Sequence, residues 1–327
     1  MAEPDDLQVA WLTSFLAVVD NGTFTAAAQA THRSQPRVSA HVAGLERFLG
    51  ARLLDRGSRR VSLTEAGTRF LPHARAAVGE IRSGLGSVVS LSGALHGSIV
   101  VGSFAGPSGT LLAPLIKRFR EQHTAVSIDL REGGPRWLED AVVSYAADLA
   151  VRTADVPMQH RLSSEELLQE RILLAIPRGH PLADGPADPG LIDGQTLVVT
   201  GAPTEGWTDF TDRLSARGVA PDRIITVTHP TTVIALVRAG LGLGLLGEMA
   251  AAITAFGDVE TRPLPDDLWT RSIRIYWNSG RELSAAAQGF LAALRQECER
   301  LGHTSREVVA AGRLLLDPVQ SEQDVRG

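Results

Sequence analysis

The chain has 327 residues, of which 44% are apolar and 21% charged, and a formal charge of −5; it is long enough for two or three domains and too apolar for a disordered chain. Its one cysteine, Cys298, excludes an internal disulfide and a cysteine-based zinc site, and its nine histidines are scattered without metal-ligand spacing, so no metal and no other cofactor is expected. No apolar run reaches the roughly 18 residues of a membrane span, and the acidic start Met-Ala-Glu-Pro-Asp-Asp lacks the apolar segment of a secretory signal, which predicts a cytoplasmic protein with no membrane partner.

Along the chain, Leu12, Phe15, Leu16 and Val19 fall on one face of a first helix. Asn21-Gly22 stops that helix, because both residues tolerate the left-handed conformation. Thr23 or Thr25 can cap a short second helix rich in alanine (Ala26, Ala27, Ala28, Ala30), whose small side chains let a neighbour pack closely. After a turn at Thr31-His32, Ser34-Gln35-Pro36 reads as a cap followed by a first-turn proline. Val38, Val42, Leu45 and Leu49 then give a third helix its inward face, and Gly50 ends it. Two helices joined by a tight turn form a helix-turn-helix. The stretch 53–63 adds two short strand-like runs around Gly57-Ser58, a wing with arginines at its tip and flanks.

The net charge argues against nucleic acid, and its distribution argues for it. Residues 1–95 hold ten arginines and eight acidic residues, so the negative excess lies beyond them. Arg33, Arg37, Arg47, Arg52, Arg56, Arg59 and Arg60 stand within 28 residues opposed only by Glu46 and Asp55, a footprint suited to a phosphate backbone. A charge run alone is more often a solvated face; the order of elements within the same fifty residues is the stronger signal.

The stretches 15–28, 34–39 and 45–56, with Leu63-Thr64-Glu65-Ala66-Gly67, closely resemble the DNA-binding signature of the LysR family of transcription regulators, over nearly all of residues 9–75. The resemblance and the helical positions together assign Thr31, Arg33, Ser34, Gln35, Pro36, Arg37, Ser39, Ala40, Arg47, Arg56, Arg59 and Arg60 to duplex DNA. Pro36, Ala40, Ala43 and Arg47 lie opposite the apolar stripe, with Arg37 and Ser39 on its flanks. Family members often carry alanine in place of Arg37 and arginine in place of Ala40, so a different operator preference is expected: small residues let the helix sit deep in the major groove while Arg37 reaches a guanine edge or a phosphate.

Thr64 can cap a long helix to about residue 91, with Phe70, Ala74, Val78, Ile81, Leu85 and Val88 recurring as a seam for another helix. Pro72 is expected to bend it early, and Gly79, Gly84 and Gly86 to weaken its second half. In the family this helix pairs subunits so that two winged domains meet successive major grooves, about 34 Å apart.

After a hinge at 94–97, strands at 98–102, 126–130, 148–151, 171–176, 196–200, 224–228, 243–246 and 268–277 alternate with helices up to 119 and at 136–143, 208–217, 231–239 and 284–301, which implies parallel sheets with crossovers. The resemblance implies an effector domain shaped like a periplasmic binding protein, two α/β lobes joined by crossing strands. The expected organisation is a winged helix-turn-helix over 7–63, a linker and dimerisation helix over 64–93, and an effector domain over 94–302. Lobe one takes 95–163 and 267–302, and lobe two takes 164–266. A C-terminal extension covers 303–327, with one more helix at 306–316 and a disordered tail from 317.

Sites in such sheets lie at the carboxyl ends of strands. That rule and the resemblance select Ser103, Phe104, Gly134, Pro135, Arg152, Thr200 and Gly201 for a small effector, with a carboxylate suited to helix N-termini and to Arg152. Pro135 stands where some members have a threonine ligand, and Gly247 where a proline is usual after the turn at 237–244. A homodimer or homotetramer follows from the resemblance, and RNA polymerase joins the candidate partners. Gly240-Leu241-Gly242-Leu243-Gly244 precedes a strand and lacks dinucleotide-binding spacing, and no G-x-S-x-G or phosphate loop is present. No nucleophile, base and orienting acid can be named together, so the chain is not expected to be an enzyme. The alternatives kept are an α/β small-molecule enzyme or a solute-binding protein with an appended DNA-binding domain.

Overall fold

A computed structural model of the chain describes residues 6–55, 60–90, 94–180, 189–201, 208–264, 270–280, 282–302 and 308–309. Expectations for Arg56, Arg59, the hinge-flanking residues 91–93, the loop 202–207, the start of the late strand at 268–269 and the extension from 303, apart from 308–309, fall outside them.

The first unit packs α1 (Val9–Asn21), α2 (Phe24–Ala30) and α3 (Gln35–Leu49) against a two-residue ladder of β1 (Leu54–Asp55) and β2 (Ser62–Leu63). Gly22 closes α1 in the left-handed region at φ 71°, and the Thr23 hydroxyl accepts the Ala26 N–H at the start of α2. The buried face of α1 is Leu12, Ser14, Phe15 and Val18, while Leu16 and Val19 pack at its margin. On α3 the inward residues are Val38, Val42 and Leu45; Leu49, expected among them, is 37% exposed because the helix outruns its core there. Glu46 ties α3 to the wing, its Oε1 accepting the N–H groups of Leu53 (2.9 Å) and Leu54 (3.2 Å).

Helix α4 (Glu65–Ser90) is continuous across Pro72. Its Thr64 cap accepts the Gly67 N–H at 3.0 Å. Gly67 is required by packing, since a Cβ there would lie 2.0 Å from the Leu53 carbonyl oxygen. The expected pairing seam divides in two. Phe70, Ala74 and Val78 belong to the core of the winged unit itself, with Phe70 6.1 Å from Phe15, whereas Ile81, Leu85 and Val88 are exposed. Arg75 joins α4 to α1 through Asp20 at 2.6 Å.

The larger unit is one nine-stranded sheet in the order β4-β3-β5-β11-β6-β9-β7-β8, with β10 also on β6. On one side β3 (Gly97–Ser103), β4 (Val126–Glu132) and β5 (Leu149–Thr153) run parallel, flanked by α5 (Ala105–Pro107), a π turn (Ser108–Leu112), α6 (Ala113–Gln122) and α7 (Pro135–Val143). On the other, β7 (Thr196–Thr200), β8 (Arg223–Val227) and β9 (Leu243–Gly247) run parallel, with α8 (Thr208–Ser215), α9 (Pro230–Arg238), α10 (Glu248–Ala252) and β10 (Val259–Pro263).

Two strands cross between the lobes: β6 (Ser163–Pro177) and β11 (Thr270–Trp277), antiparallel to each other. Residues 163–171 of β6 register with β11, and Leu167 and Leu168 lie in the first lobe's core; from Ile172 onward β6 pairs with β9 and β10. Arg171 is thus the last residue of β6 to register with β11, and Ile172 the first to pair with β9. α11 (Ala285–Arg300) returns to cover lobe one with Phe290, Leu291 and Leu294.

Candidate functional site

Two surfaces concentrate the residues singled out above. On the first unit, Gln35, Pro36, Arg37, Ala40 and Arg47 form an exposed face of α3, with Ser34 exposed at its cap and Ser39 half-buried beside it. The Ser34 side chain makes no capping bond. Among the described residues Arg37 and Arg47 have no hydrogen-bond or ion-pair partner, so their guanidinium groups face solvent. Arg60 is exposed at the wing.

Two members of the set turn inward. The Thr31 hydroxyl donates to the Ala27 carbonyl at 2.7 Å, and Arg33 Nη1 donates to the buried Ser14 hydroxyl at 3.0 Å. Ser14 in turn lies 2.8 Å from His41 Nδ1 on α3. Ser14 and His41 were not anticipated. A serine on the apolar face of α1, in register with Leu12, Phe15 and Val18, is the signal that marks this buried polar link.

The second surface is a cleft of about 590 Å³ between the lobes. Of the expected effector residues, Phe104, Gly134, Pro135, Arg152, Thr200 and Gly201 line it. Ser103 does not: it is fully buried, and its hydroxyl donates to the neighbouring Phe104 carbonyl. Helices α7 and α9 both begin at the cleft, at Gly134-Pro135 and His229-Pro230, and no side chain caps either start.

Arg152 does not bring the free charge expected of it. It and Glu139 are each 1% exposed and 3.2 Å apart, and its remaining donors go to the Thr153 and Val156 carbonyls and the Met158 sulfur. Burial opposes the charge on Glu139, but N–H groups of His160 and Gln159, together with Arg152, hold its carboxyl below the usual range. The cation that meets the cleft with open donors is Arg271. Its Nε donates to the fully buried Glu170 at 2.7 Å, its guanidinium lies 5.6 Å from the Phe104 ring centre, and its Nη1 is 3.9 Å from Oδ2 of Asp155. Burial disfavours the Arg271 charge, and Glu170 and Asp155 more than offset that, holding its pKa above the ordinary value.

Arg271 escaped the carboxyl-end rule because β11 runs antiparallel to β5, placing Ile273 beside Thr153 and so bringing the amino end of β11 to the same rim. Thr226, Thr228 and His229 also line the cleft, at the carboxyl end of β8; that rule applied to the strand expected at 224–228 would have found them. Among the described residues no group of histidine, cysteine and carboxylate side chains is arranged to hold a metal, and no helix is long and apolar enough to cross a membrane.

Comparison with known proteins covers both units. Residues 9–68 match the family model "Bacterial regulatory helix-turn-helix protein, lysR family", and residues 92–299 match "LysR substrate binding domain". The chain is 28% identical over 244 residues to the HTH-type transcriptional regulator AlsR of Bacillus subtilis, covering 72% of this chain and 79% of AlsR. It is 32% identical over 175 residues to a probable hydrogen peroxide-inducible genes activator of Mycobacterium xenopi, covering 54% of this chain and 92% of that one. In fold it is similar to full-length CbnR solved with its target DNA, at a TM-score of 0.62 and 23% identity over 90% of this chain and 99% of that one.

Proposed function

This chain belongs to the LysR family of helix-turn-helix transcription regulators and is not an enzyme, and from that premise we propose how its parts divide the work. The exposed face of α3, with Pro36, Arg37, Ala40 and Arg47, enters the major groove of duplex DNA, and Ser34, Gln35, Ser39 and the wing arginines hold the flanking backbone. The observation that carries this is the pair of exposed guanidinium groups of Arg37 and Arg47, without partners among the described residues, on an otherwise small-sided helix face. Small side chains allow close approach, and free arginines supply base-edge or phosphate contacts.

The cleft between the lobes is the effector site in this reading. Arg271 and the uncapped starts of α7 and α9 make it suited to a carboxylate. The exposed second half of α4 pairs subunits into a dimer, with a tetramer as the larger assembly. RNA polymerase is the further partner at promoters, and the cytoplasm is the working location.

The test is a mobility-shift titration of the purified chain on the DNA upstream of its own gene, at several salt concentrations. The expected result is an affinity that falls steeply with salt and is lost on joint Arg37→Ala and Arg47→Ala substitution. Absence of salt-sensitive affinity for any duplex overturns the reading.

A further inference from the structure

Arg271 and Asp155 form an unusual couple on the cleft wall. They carry opposite charges 3.9 Å apart, too far for a hydrogen bond between them. Arg271 spends one donor, its Nε, on Glu170, and among the described residues its Nη1 and Nη2 have no hydrogen-bond acceptor. Among the described residues Asp155 accepts no hydrogen bond: Oδ1 is buried without a partner, and Oδ2 has only Arg271 Nη1 at 3.9 Å. A buried carboxylate oxygen left without a donor is costly, and Oδ1 is the atom so placed. Both side chains are mostly buried, at 15% and 18% exposure, and both line the cleft.

The other charges do not complete the couple. Arg152 is committed to Glu139, and Glu170 to Arg271 and the Met249 N–H. The remaining carboxylate on the wall is Glu132, which adds negative charge. A simple carboxylate would satisfy Arg271 and press like charge against Asp155. A simple amine would do the reverse. A molecule carrying both groups on one carbon meets both demands at once, with each charged hydrogen bond made inside a cleft walled by Phe104, Leu138, Val156 and Val227.

We propose that the effector is a zwitterionic amino acid, its carboxylate held by the Nη groups of Arg271 and its ammonium group by the carboxylate of Asp155. This rests on the cleft being the effector site, and it adds the second recognition element that a carboxylate alone lacks. Arg271 stands on β11 opposite Glu170 of β6, so a ligand seated on the pair reaches the strands that cross between the lobes.

The experiment screens the full chain by thermal shift and calorimetry against the common L-amino acids. The matching α-keto acids, which lack the amine, and the matching decarboxylated amines serve as controls. One or more amino acids is expected to raise Tm by about 5 °C at a hundredfold excess over Kd, with its keto acid and amine at least tenfold weaker. Asp155→Asn, nearly isosteric, is expected to weaken that binding at least tenfold in a chain that still melts cooperatively. A keto acid binding as tightly as its amino acid, amino-acid binding within threefold of normal in Asp155→Asn, or no amino acid binding at all overturns the inference. Thr228→Trp, which fills the cleft, separates the two readings. Ligand binding that survives this substitution defeats the cleft as effector site, whereas a keto acid that binds normally and is displaced by it defeats only the amino-acid assignment.

Discussion

A Cβ on Gly247 would lie 2.3 Å from Oε1 of Glu170, well inside van der Waals contact. Glu170 is fully buried and pinned from two sides, by the Met249 N–H at 3.1 Å and by Arg271 Nε at 2.7 Å. It therefore has no room to retreat. The backbone at Gly247 is ordinary, with φ −63°, so the constraint at this position is the carboxylate beside it. Gly247→Ala is expected to cost about 1–3 kcal/mol as an overpacked site, and Gly247→Pro more. Urea unfolding monitored by tryptophan fluorescence reads this directly, and a neutral Gly247→Ala would show that Glu170 is free to move.

The Ser14 link makes a separate prediction for the winged unit. Arginine only donates, so Ser14 accepts from Arg33, and its hydroxyl lies 2.8 Å from His41 Nδ1, with the imidazole tautomer setting which of those two donates. Burial, then the charges of Arg33 and Arg37, lower the pKa of His41 from its ordinary 6.5. A group whose folded pKa lies below its unfolded value contributes stability that is present above the unfolded value and lost as pH falls through the folded one. Acidification below about pH 6.5 is therefore expected to destabilise the winged unit. The NMR titration of the His41 ring should show a midpoint below 6.5 that rises in Arg37→Ala. A midpoint at or above 6.5 in the native chain would refute the assignment. Ser14→Ala should cost about 1–2 kcal/mol, since it leaves two polar groups short of a partner.

Arg37 and Arg47 should separate by kind. If Arg37 reads a base edge, Arg37→Ala changes the sequences recovered in a binding-site selection and costs about 1–3 kcal/mol on the preferred site. Loss of a phosphate contact at Arg47 weakens all sites alike and lowers the slope of log affinity against log salt by about 0.9. An unchanged selection profile for Arg37→Ala removes it from the base-reading set.

The winged unit was legible in the sequence because its signals are local. Caps, the Gly22 stop and the four-three-four spacing on α3 act within a turn or two of the chain, and the elements came out within a few residues of expectation. The cleft was legible only along the parallel strands, where the carboxyl-end rule holds. Arg271 and Asp155 are 116 positions apart and meet because β11 returns antiparallel beside β5; no local pattern carries that register. For the same reason the partner of Arg152 is hidden in the sequence. Its position after an apolar strand looked open, and only the fold shows Glu139 of α7 beneath it. The long helix shows the opposite failure. One apolar period spans two environments, since Ala74 and Val78 serve the core of their own unit while Leu85 and Val88 do not.

Cys298 is expected to be inert. It is buried on the inner face of α11 in the core of lobe one, and burial, reinforced by Glu297, Glu165 and Glu299, pushes its thiol up to about 12. The thiolate is the reactive form, and at neutral pH almost none is present. Iodoacetamide should leave Cys298 unlabelled in the folded chain and label it on unfolding, and hydrogen peroxide should leave DNA affinity unchanged. Rapid labelling of the native protein would contradict the burial argument.

The exposed half of α4 makes the last prediction. Ile81, Leu85 and Val88 are 41%, 65% and 67% exposed and follow one another at helical spacing, so an apolar stripe continues past the point where the winged unit can cover it. Exposed positions contribute little to the fold of a single chain, within about 0.5 kcal/mol, so Leu85→Glu with Val88→Glu should leave the stability of the winged unit unaltered. The same pair places charge in the middle of any helix pairing built on that stripe. Light scattering should then report the mass of one chain, where a dimer or larger is expected of the native protein. Loss of pairing should also weaken binding to a two-half-site duplex by a hundredfold or so while leaving a single half-site nearly unaffected, because two linked readers gain effective concentration that one does not. An oligomer of unchanged mass in the double variant would place the subunit contact elsewhere and leave the stripe without a role.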